Sequence, residues 1–119
     1  MRTIIAGSRG LTHQAIVDQA VELSGFVVSE VVSGTAQGVD ALGESWAMAR
    51  GLPIVEFPAK WIGPRGLDRG AGHARNQLMA NYAEALVAVW DGSSPGTRDM
   101  IKRATKRGLA VFVYDTSLA

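Results

Sequence analysis

Short apolar runs alternate with stretches in which apolar residues recur every three or four positions, from one end of the chain to the other. Thr3–Ala6 is the first short run, ended by the turn signal Gly7-Ser8-Arg9-Gly10. Ile16, Val17, Ala20 and Leu23 then share a helical face, with Thr12 placed to cap its start and Gly25 to end it. Val31 and Val32 centre a second strand that stops at Ser33-Gly34, and Val39, Leu42, Trp46 and Ala49 mark a second helix closed by Gly51. Pro53–Phe57 reads as a third strand. Ala71, Ala74, Leu78 and Tyr82 mark the apolar face of a third helix, Leu86–Trp90 a fourth strand, Thr97–Arg107 a basic fourth helix, and Leu109–Tyr114 a fifth strand. Ala59–Gly70 has no period and reads as an irregular insertion, with Lys60, Arg65 and Arg69 against the single acid Asp68.

Strands that alternate with helices predict a parallel sheet covered on both sides. The expected fold is α/β: a single Rossmann-like three-layer α/β/α sandwich with a five-stranded parallel sheet. A chain of 119 residues has room for one core, so residues 1–119 are expected to form one domain. Trp46 and Trp90 fall within apolar patterns and are expected in the core. Trp61, in the irregular stretch, is placed either to stack on a base or to meet a neighbouring subunit.

Composition changes this picture in few places. The formal net charge is +1, so nothing global calls for nucleic acid or a membrane surface. No cysteine is present, which excludes disulfides, thiolate metal sites and a cysteine nucleophile. The start, Met1-Arg2-Thr3-Ile4-Ile5-Ala6-Gly7, is interrupted too soon for a signal peptide, and no apolar run reaches the length of a membrane span. A cytoplasmic setting is expected, with no resident cofactor and no metal. Glycine is the outlier: 14 of 119 residues, against a usual share of about 7%. These glycines stand at the ends of apolar runs.

In an open parallel sheet, ligands bind beyond the carboxyl ends of the strands. Three loops leave strands at that edge. In the first, Gly7 lets backbone N–H groups approach an anion, Ser8 offers a hydroxyl and Arg9 a bidentate fork. The second, Ser33-Gly34-Thr35-Ala36-Gln37-Gly38-Val39-Asp40, runs into a helix start whose N–H groups favour an anion. It lacks the Lys-Ser/Thr pair of a Walker loop and the spacing of a dinucleotide fingerprint. Asp40 either caps the first turn or faces the ligand. The third, Asp91-Gly92-Ser93-Ser94-Pro95-Gly96-Thr97, gathers hydroxyls and glycines at another helix start. Arg75, with Asn76 beside it near the start of the third helix, sits where the helix dipole prefers acids, which makes sense against a ligand anion. His73 is a weaker candidate. Arg98, Lys102, Arg103, Lys106 and Arg107 read as a solvated face, with Asp99 four residues before Arg103.

Together, Gly7-Ser8-Arg9, Ser33-Gly34-x-x-x-Gly38-x-Asp40, Arg75-Asn76-x-x-Met79 and Asp91-Gly92-Ser93-x-x-Gly96-Thr97 resemble the SLOG superfamily over nearly the whole chain. That superfamily includes the Lonely Guy phosphoribohydrolases, the Smf/DprA DNA-processing proteins and small single-domain YspA-like proteins; the set is closest to the last. The resemblance implies binding of a nucleotide or nucleotide derivative at the loop edge, through Gly7, Ser8, Arg9, Gly34, Thr35, Gly38, Asn76, Asp91, Gly92, Ser93, Gly96 and Thr97. Lonely Guy enzymes cleave the N-glycosidic bond of a nucleoside monophosphate with an arginine and a glutamate. Arg75 matches that arginine; Asn76 replaces the lysine that follows it; the glutamate position corresponds to Asp99, shorter by one methylene, with Asp40 a second candidate acid. The catalytic candidates are therefore Arg75, Asp99 and Asp40, for an N-glycosidic hydrolase. The alternative is a non-catalytic sensor or sponge of a signalling nucleotide, and a further alternative is single-stranded DNA binding, which the near-neutral charge disfavours. The resemblance also implies a homo-oligomer, a dimer or larger.

Overall fold

The computed structural model describes residues 1–63, 66–67 and 70–118. The chain runs β1 (Arg2–Gly7), α1 (Gln14–Ser24), β2 (Glu30–Ser33), α2 (Val39–Ala49), β3 (Ile54–Glu56), β4 (Ile62–Gly63), β5 (Gly66–Leu67), α3 (Ala71–Tyr82), β6 (Ala85–Trp90), α4 (Pro95–Lys106) and β7 (Ala110–Asp115), with a short 3-10 turn at Thr116–Leu118. Five strands form one sheet in the order β3-β2-β1-β6-β7, and every pairing in it is parallel. The expected α/β sandwich is therefore the fold observed.

The alternation along the central strands sorts side chains between two cores. Ile4 and Ala6 of β1, with Leu86 and Ala88 of β6, face Met79, Ala80, Met100 and Ala104 of α3 and α4. Ile5, Val87 and Val89 face the other way, onto Val17, Val21, Val39 and Trp46 of α1 and α2. Each fully buried Ile, Leu or Val contributes about 1.5–3 kcal/mol. This two-sided burial makes β1 and β6 continuous apolar runs, as parallel strands should be. After β3 the chain crosses from one side of β1 to the other to add β6. The strand order thus reverses between β1 and β6, and a crevice opens at the carboxyl ends of these two strands.

Several local expectations are corrected. The N-cap of α1 is His13, not Thr12, and makes no side-chain cap bond; Leu23 is largely exposed. Helix α4 starts at Pro95, whose fixed φ suits a first turn, rather than at Thr97. In α3 the buried face is Ala71, Asn76, Met79 and Ala80, while Ala74 is exposed and Leu78 is 56% exposed. A periodic reading follows leucine; here a buried asparagine holds the inner face through hydrogen bonds. Trp46 is buried, but Trp90 is only half-buried, its indole N–H donating to the Ser94 carbonyl at 3.1 Å. The insertion between β3 and α3 is not wholly irregular: β4 and β5 pair antiparallel. Arg65, Asp68 and Arg69, named in the sequence reading, lie outside the described residues.

Candidate functional site

The three loops converge at the crevice, fixed by close backbone approaches. A Cβ on Gly7 would lie 1.9 Å from the Val89 carbonyl oxygen of β6, so only glycine lets β1 leave the sheet here. Ser8 N–H then donates to that carbonyl, and the Ser8 carbonyl accepts from Val39 N–H at the start of α2. Gly38 has φ +74°, and a Cβ there would stand 2.4 Å from the Ser8 carbonyl oxygen; position and conformation both demand glycine. Ser8, itself buried, ties in the third loop: its hydroxyl accepts from Asp91 N–H at 3.1 Å and from the Ser94 hydroxyl.

The second loop carries strain. Thr35 has φ +62° and, among the described residues, no other non-glycine has positive φ. For a β-branched residue this is a true outlier, of a kind that costs about 1–3 kcal/mol and clusters at ligand sites. Its N–H is held by the Ser33 hydroxyl at 3.1 Å, which in turn donates to Glu44 at 2.6 Å. In the third loop, Asp91 accepts from the N–H groups of Ser93 and Ser94 and from the Ser94 hydroxyl. Those hydrogen bonds hold its carboxyl well below the usual carboxylate range.

The crevice is a cleft of about 450 Å³. Gly7, Arg9, Asp40, Trp61, His73, Arg75, Asn76, Gly96 and Thr97 are among its lining residues. Arg75 reaches over the second loop and donates from Nη1 to the Gly34 carbonyl; a Cβ on Gly34 would stand 2.6 Å from that nitrogen and 2.8 Å from Asp40 Oδ2. Asp40 is 5% exposed and accepts from Ala36 N–H at 3.1 Å. Burial raises its pKa, against the Ala36 hydrogen bond and the charge of Arg75. Burial likewise lowers that of Arg75, opposed by Asp40 and reinforced by Arg9; the guanidinium stays charged.

Asp99 stands differently. It is absent from the cleft lining, and its carboxylate accepts from Arg103 Nε at 2.8 Å and from Asn76 Nδ2 at 2.9 Å. Asn76 Oδ1 accepts from Arg75 Nε at 3.0 Å. A relay thus runs Arg103–Asp99–Asn76–Arg75–Gly34, linking the solvated face of α4 to the cleft. Burial raises the Asp99 pKa, but the hydrogen bonds from Arg103 and Asn76 outweigh it and leave the group below its usual value. The loop geometry brings Gly7, Arg9, Asp40, Arg75, Asn76, Gly96 and Thr97 to the cleft wall; Ser8 and Asp91 brace the loops behind it, and Gly92 and Ser93 stand outside the lining. Gly34 and Thr35 face an adjoining hollow instead. Gly38 serves at the crossing of the first two loops. Asn76 is among the residues the sequence points to, but its burial and its relay lie beyond sequence reasoning, since the arginine-asparagine pair does not announce which carboxylate it meets.

The family model described as "YAcAr: YspA, cpYpsA-related SLOG family" matches residues 1–62, the stretch that holds the first two loops and Trp61. The chain belongs to this SLOG family. Among solved structures, this SLOG chain is similar to DNA processing protein A (DprA) from Streptococcus pneumoniae, with a TM-score of 0.72 at 18% identity. The likeness covers 94% of this chain and 49% of that one, so the chain spans about half the length of that structure. No curated protein matches the chain. Among the described residues, no group of three or more His, Asp or Glu side chains is arranged to hold a metal ion, and no helix is long and apolar enough to cross a membrane.

Proposed function

We propose that the cleft binds a nucleotide or nucleotide-derived compound by its phosphorylated ribose. The observation that carries this reading is the convergence of Arg9, Arg75 and the first turn of α4 on one cleft at the sheet's switch point. The N–H groups of Gly96 and Thr97 belong to that first turn, which has no intrahelical acceptors for them. An anion there meets N–H donors and a favourable dipole, while the two guanidiniums supply charge-assisted forks. A phosphate would take over from the Gly34 carbonyl as the partner of Arg75. SLOG membership supports a nucleotide-related ligand.

The second reading is hydrolysis of an N-glycosidic bond. It is favoured by one observation: Asp40 is the carboxyl among the described lining residues, and its raised pKa suits proton transfer to a leaving base. Arg75 then orients the phosphate, and Asp99 acts through Asn76 rather than on substrate. A third reading is single-stranded DNA binding; the likeness in fold to a DNA-processing protein supports DNA as the ligand, and this reading requires affinity that falls steeply with salt.

The test is thermal shift read together with mass spectrometry against nucleoside monophosphates, NAD, ADP-ribose and cyclic nucleotides. Ligand at a hundred times its Kd stabilises by about 2.7 kcal/mol, which shifts Tm by several degrees. Intact ligand recovered with such a shift supports binding alone; released base supports the hydrolase, with Asp40→Asn abolishing release. A flat response to every compound overturns the small-nucleotide reading.

A further inference from the structure

Past Arg9 and Arg75 the cleft continues into an adjoining hollow of about 390 Å³. The two lobes share Arg9, Ala36, Trp61 and Arg75, so these side chains form a waist between them. Thr35 and Gln37 border the outer lobe. Small-molecule sites occupy about 300–1,000 Å³, and each lobe alone falls within that range. A single mononucleotide uses one of them.

The waist has the chemistry to join two such groups. Trp61 is 41% exposed, and the edge of its six-membered ring rests on Gly72, where a Cβ would come within 3.1 Å of Cη2. A large aromatic ring seated on a helix start and open to a cleft offers a π-face to a base. Arg9 and Arg75 supply two cations at the same place. The strained Thr35 is on the outer side of this waist, which fits a loop shaped around a ligand.

Building on the nucleotide reading, we infer that the site takes two nucleosides joined through phosphate, the bridge lying at Arg9 and Arg75 and the second base stacked on Trp61. The chemistry is shared by free pyrophosphate-linked dinucleotides and by phosphodiester-linked segments of nucleic acid. Calorimetric titration of the full chain with AMP, with diadenosine diphosphate and with adenylyl-adenosine separates them. The expected result is that one dinucleotide binds about ten-fold more tightly than AMP. Trp61→Ala brings that ratio close to one, and Trp61→Phe restores most of it. Preference for the pyrophosphate assigns a free dinucleotide; preference for the phosphodiester assigns a nucleic-acid segment. Dinucleotides that bind no better than AMP, or an advantage that survives Trp61→Ala, overturn the second lobe and leave the nucleotide reading standing. Failure of all three to bind overturns this inference, and takes the nucleotide reading with it only where the wider panel of nucleotides gives a flat response as well.

Discussion

The two halves of the cleft are held by different physics. The half from β1 and β2 is set by backbone: Gly7 against the Val89 carbonyl and Gly38 against the Ser8 carbonyl. The half from α3 and α4 is set by side chains, through the relay from Arg103 to Arg75. A backbone approach has no slack, so one added methyl must move a strand or loop. A hydrogen-bonded relay tolerates any change that preserves donor, acceptor and size, but not one that reverses a bond. The SLOG match over residues 1–62 covers the first kind of construction and ends before the second.

The largest expected effect tests the backbone half. Gly7→Ala forces its methyl onto the Val89 carbonyl and is expected to cost about 4 kcal/mol in urea unfolding. Gly10→Ala, three residues on, meets nothing within 4 Å and is expected to stay within about 0.5 kcal/mol of the parent. Equal losses at the two positions would erase the distinction between close approach and simple loop glycine.

The relay is probed next. Arg75→Ala is expected to weaken AMP binding about 10–100-fold, the worth of a charge-assisted hydrogen-bonded contact. Asp99→Asn removes the negative charge on which Arg103 and Asn76 converge, leaving one amide oxygen to accept, and is expected to cost about five-fold, by the same scale of interaction. In the Arg75→Ala background it should cost nothing more, because groups acting through one another are not additive. An undiminished effect of Asp99→Asn in that background would place Asp99 in direct contact with ligand.

How much of this the sequence disclosed depends on the kind of construction. The strands β1, β2 and β6 are legible as apolar runs cut off by glycine, and the loops that follow them are legible because glycine and small hydroxyl residues have few other uses there. Strand order is not legible, since pairing is a matter of partners far away in the chain. Helix α3 is misread in phase: Leu78 draws the eye but is exposed, while Asn76 is buried by bonds to Asp99 and the Gly96 carbonyl that no periodicity encodes. The β4–β5 hairpin, with two residues per strand, is too short to carry a period. Asp99 is a candidate acid by its place in a motif, and its spacing from Arg103 is legible; its engagement by Asn76 becomes visible only once α3 and α4 lie side by side.

A smaller effect, of opposite sign, is expected at Asp40. Its folded pKa is raised by burial, so its neutral form favours the fold, and that contribution is present below the unfolded pKa and lost as pH rises through the folded one. Asp40→Asn keeps an acceptor for Ala36 N–H and removes the buried charge. It should raise Tm by about 2–5 °C at neutral pH. The gain should shrink as pH falls below the folded pKa, where the parent is neutral as well. Differential scanning calorimetry from acid to neutral pH measures it, and a Tm gain independent of pH would remove burial of charge as the cause.

The central place of β1 also bears on how the chain is made. Its residues pair on one side with β2, some thirty positions away, and on the other with β6, more than eighty away. On the ribosome the first partner emerges early and the second late. Throughout that interval one hydrogen-bonding edge of this largely buried strand stands open, a template for another nascent copy. Slow synthesis past residue 62 should therefore favour aggregation, and chaperone dependence should fall sharply once residues 85–90 have left the exit tunnel.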